Sequence, residues 1–140
     1  EMLATANIAD RTQMVGFVDG LQKDLLLQGA DLFALTSTSE SFGMAVLEAL
    51  VVETPVLVTA SVGLATVVCD RDLGYVAALD IDDITRSLTE FFADPVRAQA
   101  IGVRARQFTI THYTWDKIAT DLVRVYRSII DRQPLPPELE

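Results

Sequence analysis

Two carboxylates eight positions apart, Glu40 and Glu48, are the residues of this chain with the clearest capacity for chemistry. Glu48 is the one polar residue between Met44 and Val52, in a stretch whose composition favours a helix. A carboxylate among apolar side chains costs several kcal/mol unless another group hydrogen-bonds to it or neutralises it. We therefore expect a polar partner for Glu48, which is either another protein group or a bound ligand.

The residues before this helix form a small polar loop, and they favour a ligand. Gly43 removes a side chain where the helix would open, which leaves backbone N–H groups accessible to an anion such as a phosphate. Close helix packing is an equally open explanation for this glycine. If the helix begins near Phe42, Glu48 lies roughly 9 Å further along its axis, about the distance from a diphosphate to the sugar of a nucleoside. The two glutamates are then expected to hold opposite ends of one nucleotide sugar. A simple capping box between Ser37 and Glu40 is the alternative. The hydroxyls of this loop belong to Ser37, Thr38, Ser39 and Ser41.

The segment from Glu40 to Leu50 resembles the E-x7-E segment of the retaining GT-B glycosyltransferases, the large glycosyltransferase family 4 (group 1). Flanking segments agree with the same family, so that the likeness runs from about Val15 to Tyr126. These segments are Val15-Gly16-Phe17 followed by Lys23, Gly29 to Ser37, Pro55 to Thr59 with Gly63, Gly74-Tyr75-Val76, and Tyr113-Thr114-Trp115. The resemblance implies a Rossmann-like parallel sheet with flanking helices, as the C-terminal, donor-binding domain of such an enzyme.

The resemblance also implies an activity and roles for single residues. The enzyme would transfer a sugar from a UDP-, GDP- or ADP-sugar to an acceptor with retention of configuration, and it would need no metal or other cofactor. Glu40 would be catalytic and would orient the donor sugar, while Glu48 would accept hydrogen bonds from the ribose hydroxyls. The remaining donor-binding positions would be Ser41, Phe42, Gly43 and Met44, at the helix start where the diphosphate is expected.

Two departures from the family pattern affect the expected donor site. Where many members have a Gly-Gly-x-x-Glu turn, this chain reads Gly63 to Val67, with neither the second glycine nor the acid. The glycine-rich turn and the Arg/Lys pair that hold the donor diphosphate in the family have no counterpart before Val15. We expect that the chain lacks the first strands of the domain, binds nucleotides weakly and is inactive alone, and that its partner is the acceptor-binding N-terminal domain of the parent enzyme.

Composition limits the classes of function. With 140 residues, of which 50% are hydrophobic, the chain can bury one core. Its net charge of −9 disfavours nucleic acid and anionic membrane surfaces as partners. The single cysteine, Cys69, excludes an internal disulfide and indicates a cytoplasmic protein, although the full-length protein could still dock peripherally on a membrane. His112 is interpreted as a structural or surface residue. Lys23 is interpreted as a solvated helix residue, with a place at the rim of the cleft as the alternative.

Short β-branched runs alternate with helical patterns, which predicts a parallel α/β sheet. The predicted strands are Met14–Phe17, Leu32–Thr36, Pro55–Thr59 and Tyr75–Ala77, and the predicted closing helices are Ile81–Phe92, Val96–Thr109 and Trp115–Ile130. Asp80 or Asp82 is expected to cap the first of these helices, and Asp94-Pro95 to open the second. Residues 1–132 are assigned to one donor-binding domain and residues 133–140 to a proline-rich tail.

Strand order predicts an exposed sheet edge. In the doubly wound order 3-2-1-4-5-6, strands 3 and 4 are separated by strands 1 and 2. If Met14–Phe17 is strand 3 and Leu32–Thr36 is strand 4, the two are not neighbours and the second has an open, apolar edge. We therefore expect that the chain self-associates, rearranges its sheet or needs the missing segment as a partner.

Two other functions stay open at this stage. A non-catalytic nucleotide-sugar-binding or interaction module derived from this fold is supported by the missing phosphate pair and by the altered turn at Gly63. A nucleotide-sugar epimerase uses the same architecture, although the spacing of Glu40 and Glu48 favours transfer. Loss of sugar transfer in a Glu40→Ala variant of the full-length protein would separate the enzyme from the module.

Overall fold

The computed structural model describes residues 2–137 as a three-stranded parallel sheet with apolar clusters on both faces. The strands are β1 (Phe33–Leu35), β2 (Val56–Thr59) and β3 (Gly74–Ala77), in the spatial order β1-β2-β3. The helices are α1 (Met2–Thr5), α2 (Gly20–Gln28), α3 (Met44–Val51), α4 (Ala65–Asp70), α5 (Ile81–Ala93), α6 (Pro95–His112) and α7 (Trp115–Ile130), with a 3₁₀ turn at Ala9–Arg11. This architecture confirms the predicted Rossmann-like α/β class.

The central strand joins the two halves of the core. All four residues of β2 are buried, and its side chains alternate between the two faces of the sheet. Val56 and Val58 belong to a cluster that includes residues of α3 and α4, whereas Leu57 belongs to a cluster with Phe91 of α5 and Ile101 of α6. Burial on both faces explains why this strand is a continuous apolar run rather than an alternating one.

The predicted strand Met14–Phe17 is wrong. Its residues form neither helix nor strand, Met14 and Phe17 are 85% and 90% exposed, and Gly16 has a left-handed φ of 70°. A strand needs a hydrogen-bonding neighbour, and within residues 2–137 β1 pairs with β2 alone. The outer edge of β1 is therefore unpaired in the described part of the chain, as the doubly wound order predicts.

The closing helices lie where the sequence predicts them. Asp80 caps α5 by accepting a hydrogen bond from the Asp83 N–H, and Asp94 caps α6, which opens with Pro95. The helix that carries Glu48 begins at Met44, two residues later than expected.

The ends of the chain add little to the fold. Residues 133–136 form neither helix nor strand, whereas residue 1 of the predicted domain and residues 138–140 of the predicted tail lie outside the described residues. The division into a domain and a tail stays a prediction. Within residues 2–137, no helix is both long and apolar enough to cross a membrane.

Candidate functional site

The segment that carries the candidate chemistry leaves the sheet at the carboxyl end of β1. Strand pairing is parallel, with Leu35 opposite Val58 and Val58 opposite Val76, so that all three strands end at the same edge. Residues 37–43, the motif loop, connect this edge to α3. In open parallel α/β sheets this is the edge outside which ligands bind.

Backbone hydrogen bonds tie the motif loop to the loop that follows β2. Glu40 forms an isolated parallel bridge with Val62. The Glu40 N–H donates to the Ser61 carbonyl over 3.3 Å, and the Gly63 N–H donates to the Glu40 carbonyl over 2.8 Å. The Leu64 N–H then donates to the Phe42 carbonyl over 3.1 Å. The backbone around Glu40 is thus fixed on a second loop rather than left free in solvent.

Gly63 is the residue that permits this close approach. A Cβ atom at Gly63 would lie 2.2 Å from the Ser41 carbonyl oxygen and 2.8 Å from its carbon. Real Cβ atoms do not come so near to backbone, so any side chain here would push the motif loop away. The contact gives Gly63 a structural role in a turn that lacks the second glycine and the acid of the family pattern.

Two hydroxyls, one on the buried Thr59 and one on the exposed Ser61, hold the start of the motif loop. The Ser37 carbonyl accepts hydrogen bonds from Thr59 Oγ1 and from Ser61 Oγ, each over 2.6 Å. The Ser37 hydroxyl itself donates to the Ser39 carbonyl over 3.0 Å. Since the Glu40 N–H donates to Ser61, Ser37 and Glu40 do not form the alternative capping box.

The Glu40 side chain is half-buried and faces its own loop. Its Oε1 atom accepts a hydrogen bond from the Phe42 N–H over 3.3 Å. This bond orients the carboxylate at the entrance to α3 and leaves lone pairs on both oxygens for further donors. Glu40 is therefore placed to contact a group bound at the helix start.

The start of α3 has no side-chain cap. Gly43 is the N-cap residue of α3, with a left-handed φ of 98°, which favours glycine. The N–H groups of the first turn have no carbonyl partner four residues earlier within the helix, and they lie at the positive end of its dipole. Phe42 and Met44, on either side of Gly43, are 40% and 61% exposed.

The far end of the chain also contacts the motif loop. The ring of Tyr113, between α6 and α7, packs edge-on against Phe42 with centroids 6.2 Å apart, and it contacts Phe108 as well. Burial raises the pKa of the Tyr113 hydroxyl. The closing pattern Tyr113-Thr114-Trp115 thus supports the motif loop through its tyrosine, whereas Trp115 is 85% exposed.

Glu48 has a partner within the protein. Lys23 Nζ on α2 lies 2.6 Å from Glu48 Oε1 on α3, and the two side chains are 35% and 36% exposed. The hydrogen bond to Glu48 raises the pKa of Lys23, against a smaller opposing effect of burial. The expectation of a polar partner for Glu48 is therefore met by a protein group. Lys23 is not merely a solvated residue, and the alternative place at the rim of the cleft stays open.

Other polar groups stand apart from the motif loop. His112 is exposed, stacks on Phe108 and has its Nδ1 atom 2.9 Å from the Phe108 carbonyl oxygen.

A groove of about 1080 Å³ runs along α6 and is lined by residues such as Val96, Val103 and Ile110, with none of the motif loop. Within residues 2–137, no group of three or more His, Cys, Asp and Glu side chains could hold a metal ion.

Comparison with known proteins decides the family. The model of the family described as "Glycosyl transferases group 1" matches residues 1–108, which include the motif loop, α3 and the whole sheet. The chain belongs to the group 1 glycosyl transferases. The matched residues contain the E-x7-E segment, so the family predicted from that segment is confirmed at this level.

Proteins similar in sequence to this glycosyl transferase domain include enzymes with different named activities. It is 35% identical over 127 residues to the D-inositol 3-phosphate glycosyltransferase of Salinispora tropica, covering 90% of this chain and 26% of that protein. It is 31% identical over 128 residues to the glycogen synthase of Mycobacterium tuberculosis, covering 89% of this chain and 31% of that protein. The domain thus spans between a quarter and a third of the length of these relatives.

A solved structure supports the GT-B type of fold. The sucrose-phosphate synthase from Thermosynechococcus elongatus matches this glycosyl transferase domain with a TM-score of 0.82 at 25% identity. The match covers 94% of this chain and 33% of the other. The arrangement of sheet and helices described above therefore matches about a third of that longer chain.

Sequence reasoning missed residues that lie far from the motif in the chain. Lys23 is separated from Glu48 by 25 positions, and Thr59 from Ser37 by 22. The topology contained a usable signal, because the helices before and after β1 both begin at the carboxyl edge of the sheet. A polar residue in the first turns of α2 could have been proposed as a neighbour of α3 on that ground.

Proposed function

We propose that this glycosyl transferase domain is the donor-binding part of a retaining, metal-independent glycosyltransferase of family 4. The observation that carries the proposal is the pair Glu40 and Glu48, which bracket the N-terminus of α3 at the carboxyl edge of the sheet. The family match and the structural match support it. The reaction is transfer of a sugar from a nucleotide-diphosphate sugar to an acceptor.

The start of α3 would hold the diphosphate. Backbone N–H groups of Gly43 and Met44, with Ser41 and Phe42 beside them, would donate to phosphate oxygens, and the helix dipole favours the negative charge. These groups are fixed before a ligand arrives, because the motif loop is hydrogen-bonded to the loop after β2. Preorganised donors of this kind stabilise the charge that develops on the leaving group.

The two glutamates would act at opposite ends of the donor. Glu40, held by the Phe42 N–H, would orient the donor sugar or its cationic transition state. Glu48, about one turn after the start of α3, would accept hydrogen bonds from the ribose hydroxyls. Attack on the same face as the leaving group would retain the configuration without a protein nucleophile.

The parent protein would complete the site. The relatives are three to four times as long as the aligned segment, and the side chains of Phe42 and Met44 beside Gly43 are exposed. We infer that an acceptor-binding N-terminal domain covers these side chains, and that the parent enzyme is cytoplasmic and docks peripherally on membranes where its acceptor requires it. Nucleic acid is not expected as a partner.

A non-catalytic nucleotide-sugar module is the second candidate. The turn at Gly63 lacks the acid of the family pattern, and the structure uses this glycine to support the motif loop. A module of this kind would retain nucleotide binding without transfer.

Sugar transfer by the full-length protein separates the two functions. We expect Glu40→Ala to lower kcat by roughly 100-fold or more, because a preorganised charged contact is removed from the transition state. Glu90→Ala on α5, an exposed glutamate that pairs with Arg86, is the matched control and should leave the rate unchanged. Nucleotide binding without any transfer by the wild-type protein, over a panel of UDP-, GDP- and ADP-sugars and acceptors, would favour the module.

A binding measurement on the 140-residue chain complements this assay. At 100 times its dissociation constant a nucleotide adds about 2.7 kcal/mol to the free energy of unfolding. We expect a thermal shift with one of UDP, GDP or ADP at millimolar concentration, and its loss in Glu48→Gln. A shift that persists unchanged in Glu48→Gln would place the nucleotide elsewhere.

A further inference from the structure

We propose that Lys23 is a positioning residue for Glu48, and that the two side chains together recognise the vicinal hydroxyls of the bound nucleotide's ribose. This inference rests on the proposed function, since it assumes that a nucleoside diphosphate occupies the start of α3. It adds a residue from a different helix to the site.

Topology explains why Lys23 reaches the site. Helix α2 leads into β1 and α3 leaves it, so both helices begin at the carboxyl edge of the sheet. Lys23 is the fourth residue of α2 and Glu48 is the fifth residue of α3. Their side chains meet between the two helices, with 2.6 Å between Nζ and Oε1.

Lys23 is the basic residue nearest in sequence to the motif loop. The sequence has no other lysine or arginine between Asp24 and Asp70, a stretch that includes all of β1, the motif loop, α3 and β2. Glu48 lies in a helix of otherwise apolar residues, and Lys23 neutralises it there. A ligand that covered Glu48 without Lys23 would bury an unpaired charge, which is costly.

The hydrogen-bonding capacity of the pair matches a vicinal diol. An ammonium has three N–H donors, and a carboxylate has two oxygens with about four acceptor sites in all. With one N–H engaged by Oε1, the pair still has Oε2 as an acceptor and further N–H groups as donors. Two neighbouring hydroxyls need both kinds of partner, because each hydroxyl donates one bond and accepts others.

A blocking role for Lys23 predicts the opposite result. If the ammonium only occupied the carboxylate and had to leave before a nucleotide bound, its removal would tighten binding. If it orients Glu48 and contributes donors, its removal weakens binding, and the loss is confined to ligands that carry both hydroxyls. The sign of the change therefore distinguishes positioning from blocking.

The experiment compares each nucleoside diphosphate with its 2′-deoxy counterpart by calorimetry on the full-length protein. We expect the wild type to prefer the ribonucleotide by roughly tenfold, since one or two hydrogen bonds depend on the 2′-hydroxyl. Lys23→Met should weaken ribonucleotide binding about tenfold and bring it level with the deoxynucleotide. Lys23→Arg, which keeps the charge and the donors, should restore part of the preference.

Lys117→Met is the matched control, because Lys117 also pairs with a carboxylate, Asp121, but lies on α7. It should leave both affinities unchanged. Should Lys23→Met fail to fold, as judged by circular dichroism, Lys23→Leu, which also has neither charge nor N–H donors, replaces it and should abolish the preference in the same way.

The outcomes separate this inference from the proposed function. Tighter binding in Lys23→Met, or a ribose preference that the substitution does not change, overturns the role of Lys23 and leaves the proposed function standing. Absence of nucleoside diphosphate binding by the wild-type full-length protein overturns the proposed function, and the inference with it.

Discussion

At the scale of single residues, the absence of a side chain at Gly63 allows the motif loop to pack against the loop after β2. A side chain at Gly63 would collide with the Ser41 carbonyl at 2.2 Å, and backbone cannot move aside as cheaply as a flexible side chain. We expect Gly63→Ala to lower the free energy of unfolding by about 1–3 kcal/mol. We also expect it to weaken nucleotide binding, because the loop that carries Glu40 must shift.

Gly102 offers a matched control for this prediction. A Cβ atom at Gly102 would lie 2.2 Å from the Glu53 carbonyl oxygen, between α6 and the end of α3. Gly102→Ala should therefore cause a similar loss of stability in urea denaturation. It should not weaken nucleotide binding by the folded protein, because Gly102 does not contact the motif loop. Equal weakening of binding in both variants would show that Gly63 acts through general stability alone.

The hydroxyl of Tyr75 is expected to lower the stability of the fold rather than raise it. The side chain is buried, and its oxygen has no hydrogen-bond partner within the described residues. A buried unsatisfied hydroxyl costs about 1–3 kcal/mol, so we expect Tyr75→Phe to raise the free energy of unfolding by about 1 kcal/mol. Tyr126→Phe, at a 58% exposed tyrosine, should change it by less than about 0.5 kcal/mol. A clear loss of stability in Tyr75→Phe would reveal a partner for the hydroxyl.

The same tyrosine gives stability a defined dependence on pH. Burial raises the pKa of Tyr75 above its ordinary value of 10.0, and the same is true of Tyr113. Lys23, whose ordinary value is 10.5, shifts in the same direction because of Glu48. As pH rises past these ordinary values, the unfolded chain releases protons that the folded chain still holds, so the free energy of unfolding falls.

Urea denaturation at about pH 9 and about pH 11 tests this dependence. We expect the wild type to lose stability over this interval and Tyr75→Phe to lose less, since one of the contributing groups is gone. An identical pH dependence in the two proteins would contradict the assignment of a raised pKa to Tyr75.

At the residue scale, the sequence predicted that Glu48 has a polar partner but did not identify that partner. The need for a polar partner followed from the apolar neighbours of Glu48, and the structure supplies Lys23. The identity of that partner could not follow, because it depends on how α2 and α3 pack across β1. The same holds for Tyr113, which reaches Phe42 from the other end of the chain.

At the scale of elements, local sequence signals predicted the closing helices correctly but predicted one strand that does not form. The caps Asp80 and Asp94 and the residue Pro95 determine where α5 and α6 begin, and such signals lie within a few residues of sequence. Met14–Phe17 has the composition of a strand, but a strand is completed by a neighbour that composition does not reveal. Gly16, with its positive φ, bends the chain there instead.

The cap of α6 gives a prediction at this scale. Asp94 accepts a hydrogen bond from the Arg97 N–H over 2.9 Å, and its loss leaves a first-turn donor unsatisfied. Asp94→Ala should lower the free energy of unfolding by about 1 kcal/mol. Asp70→Ala is the control, because a carboxylate at the last residue of α4 opposes the helix dipole and its removal costs nothing. Equal losses in the two variants would argue against a capping role.

At the scale of the whole molecule, two surfaces lack the cover that the rest of the core has. The outer edge of β1 is unpaired within residues 2–137. Helix α7 has no buried residue in spite of a regular apolar stripe at intervals of three and four positions. The stripe consists of Trp115, Ile118, Leu122, Tyr126 and Ile129. Both surfaces are consistent with a domain that spans less than a third of its aligned relatives.

These surfaces predict that the 140-residue chain self-associates, as the strand order suggested. Unpaired edge strands are templates for pairing with a second copy, and natural proteins block them with charged side chains, lysine above all. Ala34, the central and exposed residue of β1, is the position for such a charge. Sedimentation velocity over a roughly hundredfold range of concentration should show a rising average mass for the wild type.

Two variants identify the surface responsible. Ala34→Lys should shift the chain toward monomer if copies pair through β1, while Trp115→Glu should do so if they pair through α7. Trp115 is 85% exposed, so neither change removes a buried contact, and circular dichroism should show both folded. Because the doubly wound order leaves β1 without a neighbour, we expect the larger effect from Ala34→Lys. A wild-type chain that stays monomeric throughout would mean that β1 is protected despite its unpaired edge, and the self-association would be wrong.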